Sequence, residues 1–131
     1  MSSGFTLRAF TEAPDVLGDY PGEMRFLTGP LETEQVAVTY RRMPAGTGGK
    51  GSYGHRHHTQ EEVYVVTAGS LQFKLGDELM DVEAGTAVRV APHVPRSVWN
   101  DGPDDAELLI VSTKIDDLRA DVDPVPGFWP E

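Results

Sequence analysis

Histidine and glutamate side chains cluster in one short stretch that could bind a metal. Three of the four histidines, His55, His57 and His58, fall within four residues, and Glu62 follows closely. Alternate side chains of a β-strand share a face, so His55 and His57 point the same way while His58 points away. After a turn, Glu62 begins the next strand with Tyr64 on its own face, so the carboxylate can join the two imidazoles. Such a set suits Fe(II), Mn(II), Ni(II) or Zn(II), with open positions for substrate or water.

The composition narrows the kinds of site and partner that the chain can have. It contains no cysteine, which excludes disulfides, Cys-ligated zinc, Fe–S clusters and thiol nucleophiles. Eleven Lys and Arg against twenty-one Asp and Glu give a net charge of −10, which opposes binding to nucleic acid or anionic membranes. We find neither a basic-then-apolar leader nor a run of about eighteen apolar residues. We therefore expect a cytoplasmic protein.

Glycine and proline recur between short runs of β-forming residues, a rhythm typical of many strands joined by tight turns. We predict eight strands, at 35–41, 53–57, 62–67, 71–75, 79–82, 87–90, 97–100 and 107–113. No apolar 3.6-residue period of ten or more residues lies between 36 and 113, so crossover helices for a parallel sheet are missing. The pattern predicts an all-β, antiparallel sandwich or barrel within a single domain of 131 residues.

The segments on either side of these strands have less regular patterns. Residues 1–34 are predicted to form an N-terminal arm that packs on the barrel, with one short strand near 24–27. Residues 114–131 are predicted to form a short C-terminal tail, with a helical turn at 115–119 and an extended end. The aromatic residues Phe128 and Trp129 near its end either dock onto the barrel or a partner subunit, or belong to a loose tail.

The histidine segment matches a longer pattern that includes its flanking glycines. Between Gly49 and Gly69 the sequence fits G-x5-H-x-H-x4-E-x6-G without a gap. This pattern resembles the first conserved motif of the cupin superfamily. The resemblance implies a double-stranded β-helix, or jelly-roll barrel, over residues 35–113. It also implies that the two histidines and the glutamate bind a metal inside the barrel, and that the protein forms a homodimer like other small cupins.

The second cupin motif, G-x5-P-x-G-x2-H-x3-N, aligns from Gly85 to Asn100 with three departures. Ala91 replaces the proline, His93 replaces the second glycine, and Arg96 replaces the histidine that serves the family as a fourth metal ligand. A guanidinium stays protonated and has no lone pair to donate to a metal. The resemblance therefore implies metal binding by only three residues, the two histidines and the glutamate of the first motif.

Three interpretations of Arg96 follow. In the first, Arg96 clamps an anionic group of a substrate beside a three-ligand metal. In the second, it pairs with Glu62 in place of a metal. In the third, it lies at the barrel mouth as a solvated charge. His93, in a Pro-His-Val-Pro turn, would reach the site as a replacement ligand only if that loop were distorted.

Other side chains take their expected positions from strand parity. Tyr64 is either a proton or hydrogen-bond donor, or a core aromatic. Val66, Val98 and Asn100 are expected to line or close the cavity, and Trp99 to lie outside the barrel.

Together these observations predict a small single-domain cupin with an internal metal site for a small anionic molecule. An oxygenase or isomerase-like enzyme fits that description. The alternative is a metal-free ligand-binding or sensor cupin in which Arg96 replaces the metal.

Overall fold

Strands form where β-branched and aromatic residues alternate with polar ones, and glycine or proline ends most of them. The computed structural model describes residues 4–131. Its strands are β1 (Glu23–Phe26), β2 (Val36–Met43), β3 (Ser52–His57), β4 (Glu62–Ala68), β5 (Ser70–Leu75), β6 (Glu78–Glu83), β7 (Thr86–Val90), β8 (Arg96–Trp99), β9 (Ala106–Thr113) and β10 (Val122–Trp129). The helices are α1 (Thr28–Leu31) and α2 (Leu118–Asp121), and Phe10–Glu12 forms a 3-10 turn. None of the helices within residues 4–131 has the length and apolar character needed to cross a membrane.

The strands form two five-stranded antiparallel sheets that face each other. One sheet has the order β1-β2-β9-β4-β7 and the other β10-β3-β8-β5-β6. Each of the eight strands predicted between residues 35 and 113 is present, with its ends shifted by at most two residues. The all-β, double-stranded β-helix prediction is therefore confirmed.

The main core lies between the two sheets. On β4 the buried side chains alternate along the strand, so that Glu62, Tyr64 and Val66 point inward. The Tyr64 ring meets the Phe73 ring edge to face, with centroids 5.4 Å apart. A second apolar cluster covers the outer face of β2, where Phe10 from the N-terminal segment stacks on Tyr40.

The C-terminal segment differs from the predicted tail because it forms β10, which pairs with β3 at the edge of the second sheet. Trp129 is buried, and the Lys74 ammonium lies 3.9 Å from the centre of the Phe128 ring. Gly54 makes this docking possible, since a side chain there would collide with the Phe128 ring and the Arg96 carbonyl. The division into arm, barrel and extension stays a prediction, and the segments on both sides contribute strands to the sheets.

Truncating Phe73 tests how far the fold depends on its central core. Phe73 has no exposed surface, so we expect Phe73→Ala to lower the free energy of unfolding by about 3–5 kcal/mol. The matched control is Phe5→Ala, because 77% of that side chain is exposed. Urea denaturation measures both, and equal losses in the two variants would contradict this description of the core.

Candidate metal centre

Two histidines and a glutamate meet at one end of the barrel. His55 and His57 come from β3 and Glu62 from the first position of β4, after the turn at 58–61. The Glu62 Oε1 atom lies 3.3 Å from His57 Nε2 and 3.6 Å from His55 Nε2. The three side chains can offer ligand atoms that all lie within 4.8 Å of one another. The structure thus brings together the three predicted ligands.

Asp121, at the end of α2, fixes the orientation of His57. Its Oδ2 atom lies 3.1 Å from His57 Nδ1 and accepts the Gln60 backbone N–H, while Oδ1 accepts the Thr59 backbone N–H and hydroxyl. Burial alone would raise the pKa of Asp121, but these hydrogen bonds hold it below its ordinary value. A carboxylate beside Nδ1 favours a proton on that nitrogen, which leaves the Nε2 lone pair directed at Glu62.

The donor set fits a divalent metal. His57 Nε2 is buried and has no hydrogen-bond partner among residues 4–131, an arrangement that costs free energy unless some group satisfies the nitrogen. One anionic carboxylate and two imidazoles form a set that divalent transition metals accept. His55, His57 and Glu62 are the residues that would hold such an ion.

Arg96 lies inside the barrel, on β8 opposite His55. Its side chain has no exposed surface, so the interpretation that places it at the mouth as a solvated charge is wrong. Nη1 donates to the carbonyls of Pro92 (2.9 Å) and Val94 (2.8 Å), and Nε lies 3.3 Å from Glu62 Oε1. The loop carbonyls hold the guanidinium in place, and its charge offsets that of Glu62.

Tyr64 serves both as a core aromatic and as a donor. Its hydroxyl donates a 2.7 Å hydrogen bond to Glu62 Oε1. Burial and the Glu62 charge raise the pKa of Tyr64 well above its usual value, so the phenol keeps its proton. Burial would raise the pKa of Glu62, but the nearby imidazoles of His55 and His57 and the Tyr64 hydroxyl bring it well below its usual value. Glu62 is therefore an anion at neutral pH.

Other candidate residues lie away from this centre. His58 is exposed, with its Nε2 atom 3.0 Å from an Asp123 carboxylate oxygen, and His93 is also exposed. Val98 lines the cavity as expected, but Val66 packs in the core instead. The Asn100 amide donates to the backbone carbonyls of Met43 and Asp104, so it fixes loops and does not close the cavity.

The centre opens into a cavity of about 810 Å³. The N-terminal segment and the region around α2 line its outer part with apolar side chains, which include Leu17, Met24, Phe26, Ile115 and Leu118. A charged residue that the motif analysis did not single out, Arg41 on β2, also lines it. The cavity thus combines a polar centre with an apolar mouth and is large enough for a small organic molecule.

Comparison with solved structures shows the same fold in proteins of low sequence identity. A candidate sugar phosphate isomerase from Acidithiobacillus ferrooxidans is 19% identical with a TM-score of 0.64, over 78% of this chain and 64% of that one. A predicted oxalate decarboxylase from Thermotoga maritima is 19% identical with a TM-score of 0.67, over 84% of this chain and 100% of that one. A recombinant oxalate oxidase in complex with glycolate is 16% identical with a TM-score of 0.65, over 82% of this chain and 59% of that one. The chain thus spans less than two thirds of the length of the isomerase and the oxidase.

The comparison with curated proteins found no match. The family model described as a cupin domain matches residues 41–112, which is more than half of the chain and includes all three candidate metal ligands. The chain therefore belongs to the cupin family.

Proposed function

We propose that this protein is a metal-dependent cupin that binds a small anionic molecule in its barrel and acts on it as an oxygenase or isomerase-like enzyme. One observation carries the proposal. The Nε2 atom of His57 is buried without a hydrogen-bond partner and faces the Glu62 carboxylate, while Asp121 holds the opposite side of the ring. This is the arrangement that a metal-ligating histidine needs.

Each nearby residue has a distinct part in this proposal. His55, His57 and Glu62 hold the ion, which when bound supplies Lewis acidity or activation of dioxygen. Tyr64 keeps a proton on its hydroxyl beside Glu62 and is the candidate hydrogen-bond donor to a ligand group placed there. The buried charge of Arg96 stabilises negative charge that develops at the same point.

The anionic class of the ligand has two supports. Arg96 adds a fixed positive charge to the candidate metal centre, which favours a ligand of opposite charge. In addition, the oxalate oxidase with the same fold is described in complex with glycolate, a small carboxylate.

The second candidate is a metal-free ligand-binding or sensor cupin. The 3.3 Å contact between Arg96 Nε and Glu62 Oε1 favours it, because this is the ion pair expected if arginine has taken the place of a metal. In that case the cavity would bind a ligand without metal chemistry.

Elemental analysis of untagged protein distinguishes the two candidates. We expect about one divalent ion per chain in the wild type and almost none in His57→Ala, because two remaining ligands hold a metal poorly. The matched control is His58→Ala, which removes an exposed imidazole of the same segment and should keep the ion. Arg96→His should bind metal more tightly, because it adds a fourth ligand.

Two results would contradict the metal-dependent proposal. Metal retained in His57→Ala would exclude the site described here. Metal absent from the wild type but present in Arg96→His would favour the metal-free candidate.

Asp121→Asn tests whether the carboxylate beside His57 raises the affinity of the site for a metal. Because an amide holds the Nδ1 proton less strongly, we expect the affinity for Mn(II) to fall roughly 10- to 100-fold. The control is Asp123→Asn, which changes a carboxylate that contacts Arg56 and His58 instead. Competition titration of the metal-free proteins with a chelator gives the affinities, and equal losses in both variants would argue against a positioning role for Asp121.

A homodimer and a cytoplasmic location stay predictions, and the resemblance to small cupins supports the homodimer. Light scattering coupled to size exclusion should give twice the chain mass of 14.3 kDa. A mass of one chain at micromolar concentration would contradict the dimer.

A further inference from the structure

Arg41 is a cavity-lining cation that pairs with none of the residues that the structure describes. Its neighbours on β2 face the other side of the sheet, where Tyr40 stacks on Phe10 and Arg42 pairs with Glu23. Arg41 instead lines the cavity, and its Nε atom is buried without a hydrogen-bond partner. No residue within 4–131 forms a hydrogen bond or an ion pair with its guanidinium.

An unpaired guanidinium in this position is costly. Arginine remains protonated in proteins, and Arg41 is half-buried with its Nε atom withdrawn from water, so the lack of a counter-ion destabilises the fold. Burial lowers the pKa of Arg41, and the groups close enough to act on its charge are the tyrosines Tyr20, Tyr64 and Tyr53, with no carboxylate among them. In a chain of net charge −10, which is rich in carboxylates, the absence of a counter-ion at this position suggests that a ligand supplies one.

Arg96 is less available for that purpose. Two loop carbonyls hold its Nη1 atom and its charge is already paired with Glu62 at 3.3 Å, although its Nε and Nη2 atoms form no hydrogen bond within the described residues. The guanidinium of Arg41 has no such contacts. The anion-clamping role predicted for Arg96 from its position in the motif therefore fits Arg41 better.

We propose that Arg41 is the anion-binding residue of the cavity and binds the carboxylate of a small organic acid with an apolar body. This inference deepens the proposed function and rests on its assignment of the cavity as the ligand site. A guanidinium can bind a carboxylate through two parallel hydrogen bonds. A single unpaired guanidinium matches one negative charge, which favours a carboxylate over a doubly charged phosphate.

The other residues that line the cavity determine which kind of acid fits it. The apolar lining residues Leu17, Met24, Phe26, Ile115 and Leu118 provide a surface that a short polar acid such as oxalate would leave uncovered. A cavity of about 810 Å³ is far larger than such an acid needs. An aromatic or branched aliphatic acid would bury this surface.

Tyr64 connects the proposed anion site to the candidate metal centre. It lines the same cavity as Arg41, and its hydroxyl donates to Glu62. An acid held at Arg41 would therefore lie in the cavity that the metal ligands also line. Arg41 would thus determine which acids bind.

Calorimetric titration with two matched probes tests this inference. The probes are 2-naphthoate and its uncharged analogue 2-naphthamide, titrated into protein as purified and into chelator-treated protein. We expect the wild type to bind the acid about 10- to 100-fold more tightly than the amide, and Arg41→Met to lose that preference. Arg41→Lys, which keeps the charge but not the two-pronged geometry, should retain part of it.

The matched control is Arg89→Met, which makes the same change at an exposed arginine that contacts Glu61 on the outside. It should leave the preference unchanged. Without the acid, Arg41→Met should unfold at a higher temperature than the wild type, because the variant removes an unpaired charge. No preference for the acid in the wild type, an undiminished preference in Arg41→Met, or an equal loss in Arg89→Met would overturn the inference.

The chelator-treated sample separates this inference from the metal proposal. If the purified protein contains no metal but the chelator-treated wild type prefers the acid and Arg41→Met does not, the metal proposal fails and the anion site stands. If the protein contains metal but Arg41→Met keeps the preference, the anion site fails and the metal proposal stands.

Discussion

The architecture of the site depends on one buried carboxylate oxygen, Oε1 of Glu62. Tyr64 donates a hydrogen bond to it, and the Nε atom of Arg96 and the Nε2 atoms of His57 and His55 surround it at 3.3–3.6 Å. These groups come from β3, β4 and β8, which belong to two different sheets. A buried anion is stable only when hydrogen bonds and positive charge compensate it, which Tyr64 and Arg96 do here. Closure of the barrel therefore does more than bury apolar surface, because it assembles the positive environment that keeps Glu62 ionised and in place.

Charge is distributed unevenly between the outside of the molecule and the cavity. Arginines on the outside, such as Arg25, Arg42 and Arg89, are each paired with an acid. Inside, Arg96 offsets Glu62, while Arg41 has no counter-ion among residues 4–131. The protein as a whole is strongly acidic, yet its cavity contains this cation without a partner in the described part of the chain. The overall charge slows the approach of anions, so an acid that binds at Arg41 depends on the contacts of its apolar part with the cavity for additional binding energy.

Strand alternation and motif spacing were sufficient to predict the fold and the three candidate ligands, because both are properties of neighbouring residues. Alternation placed His55 and His57 on one face, and the structure shows both facing Glu62. Asp121 could not be found in this way, since it lies 64 residues from His57 in a segment that has no motif. The motif identified the departure at position 96, but the direction of that guanidinium depends on loop carbonyls. Similarly, no local pattern indicates that Arg41 lacks a counter-ion, because that depends on every strand facing it.

The segments outside the two motifs determine the lining of the cavity and the orientation of His57, neither of which the motifs alone define. The region from Ile115 to Asp121 contributes apolar side chains to the mouth through Ile115 and Leu118, and a carboxylate to His57 through Asp121. Both contributions depend on β10, which follows α2 directly and pairs with β3. A ligand that packs against Leu118 therefore contacts the same short helix that orients His57. Cupins with the same three ligands but a different C-terminal segment would therefore lack both this apolar lining and the carboxylate that orients the equivalent histidine.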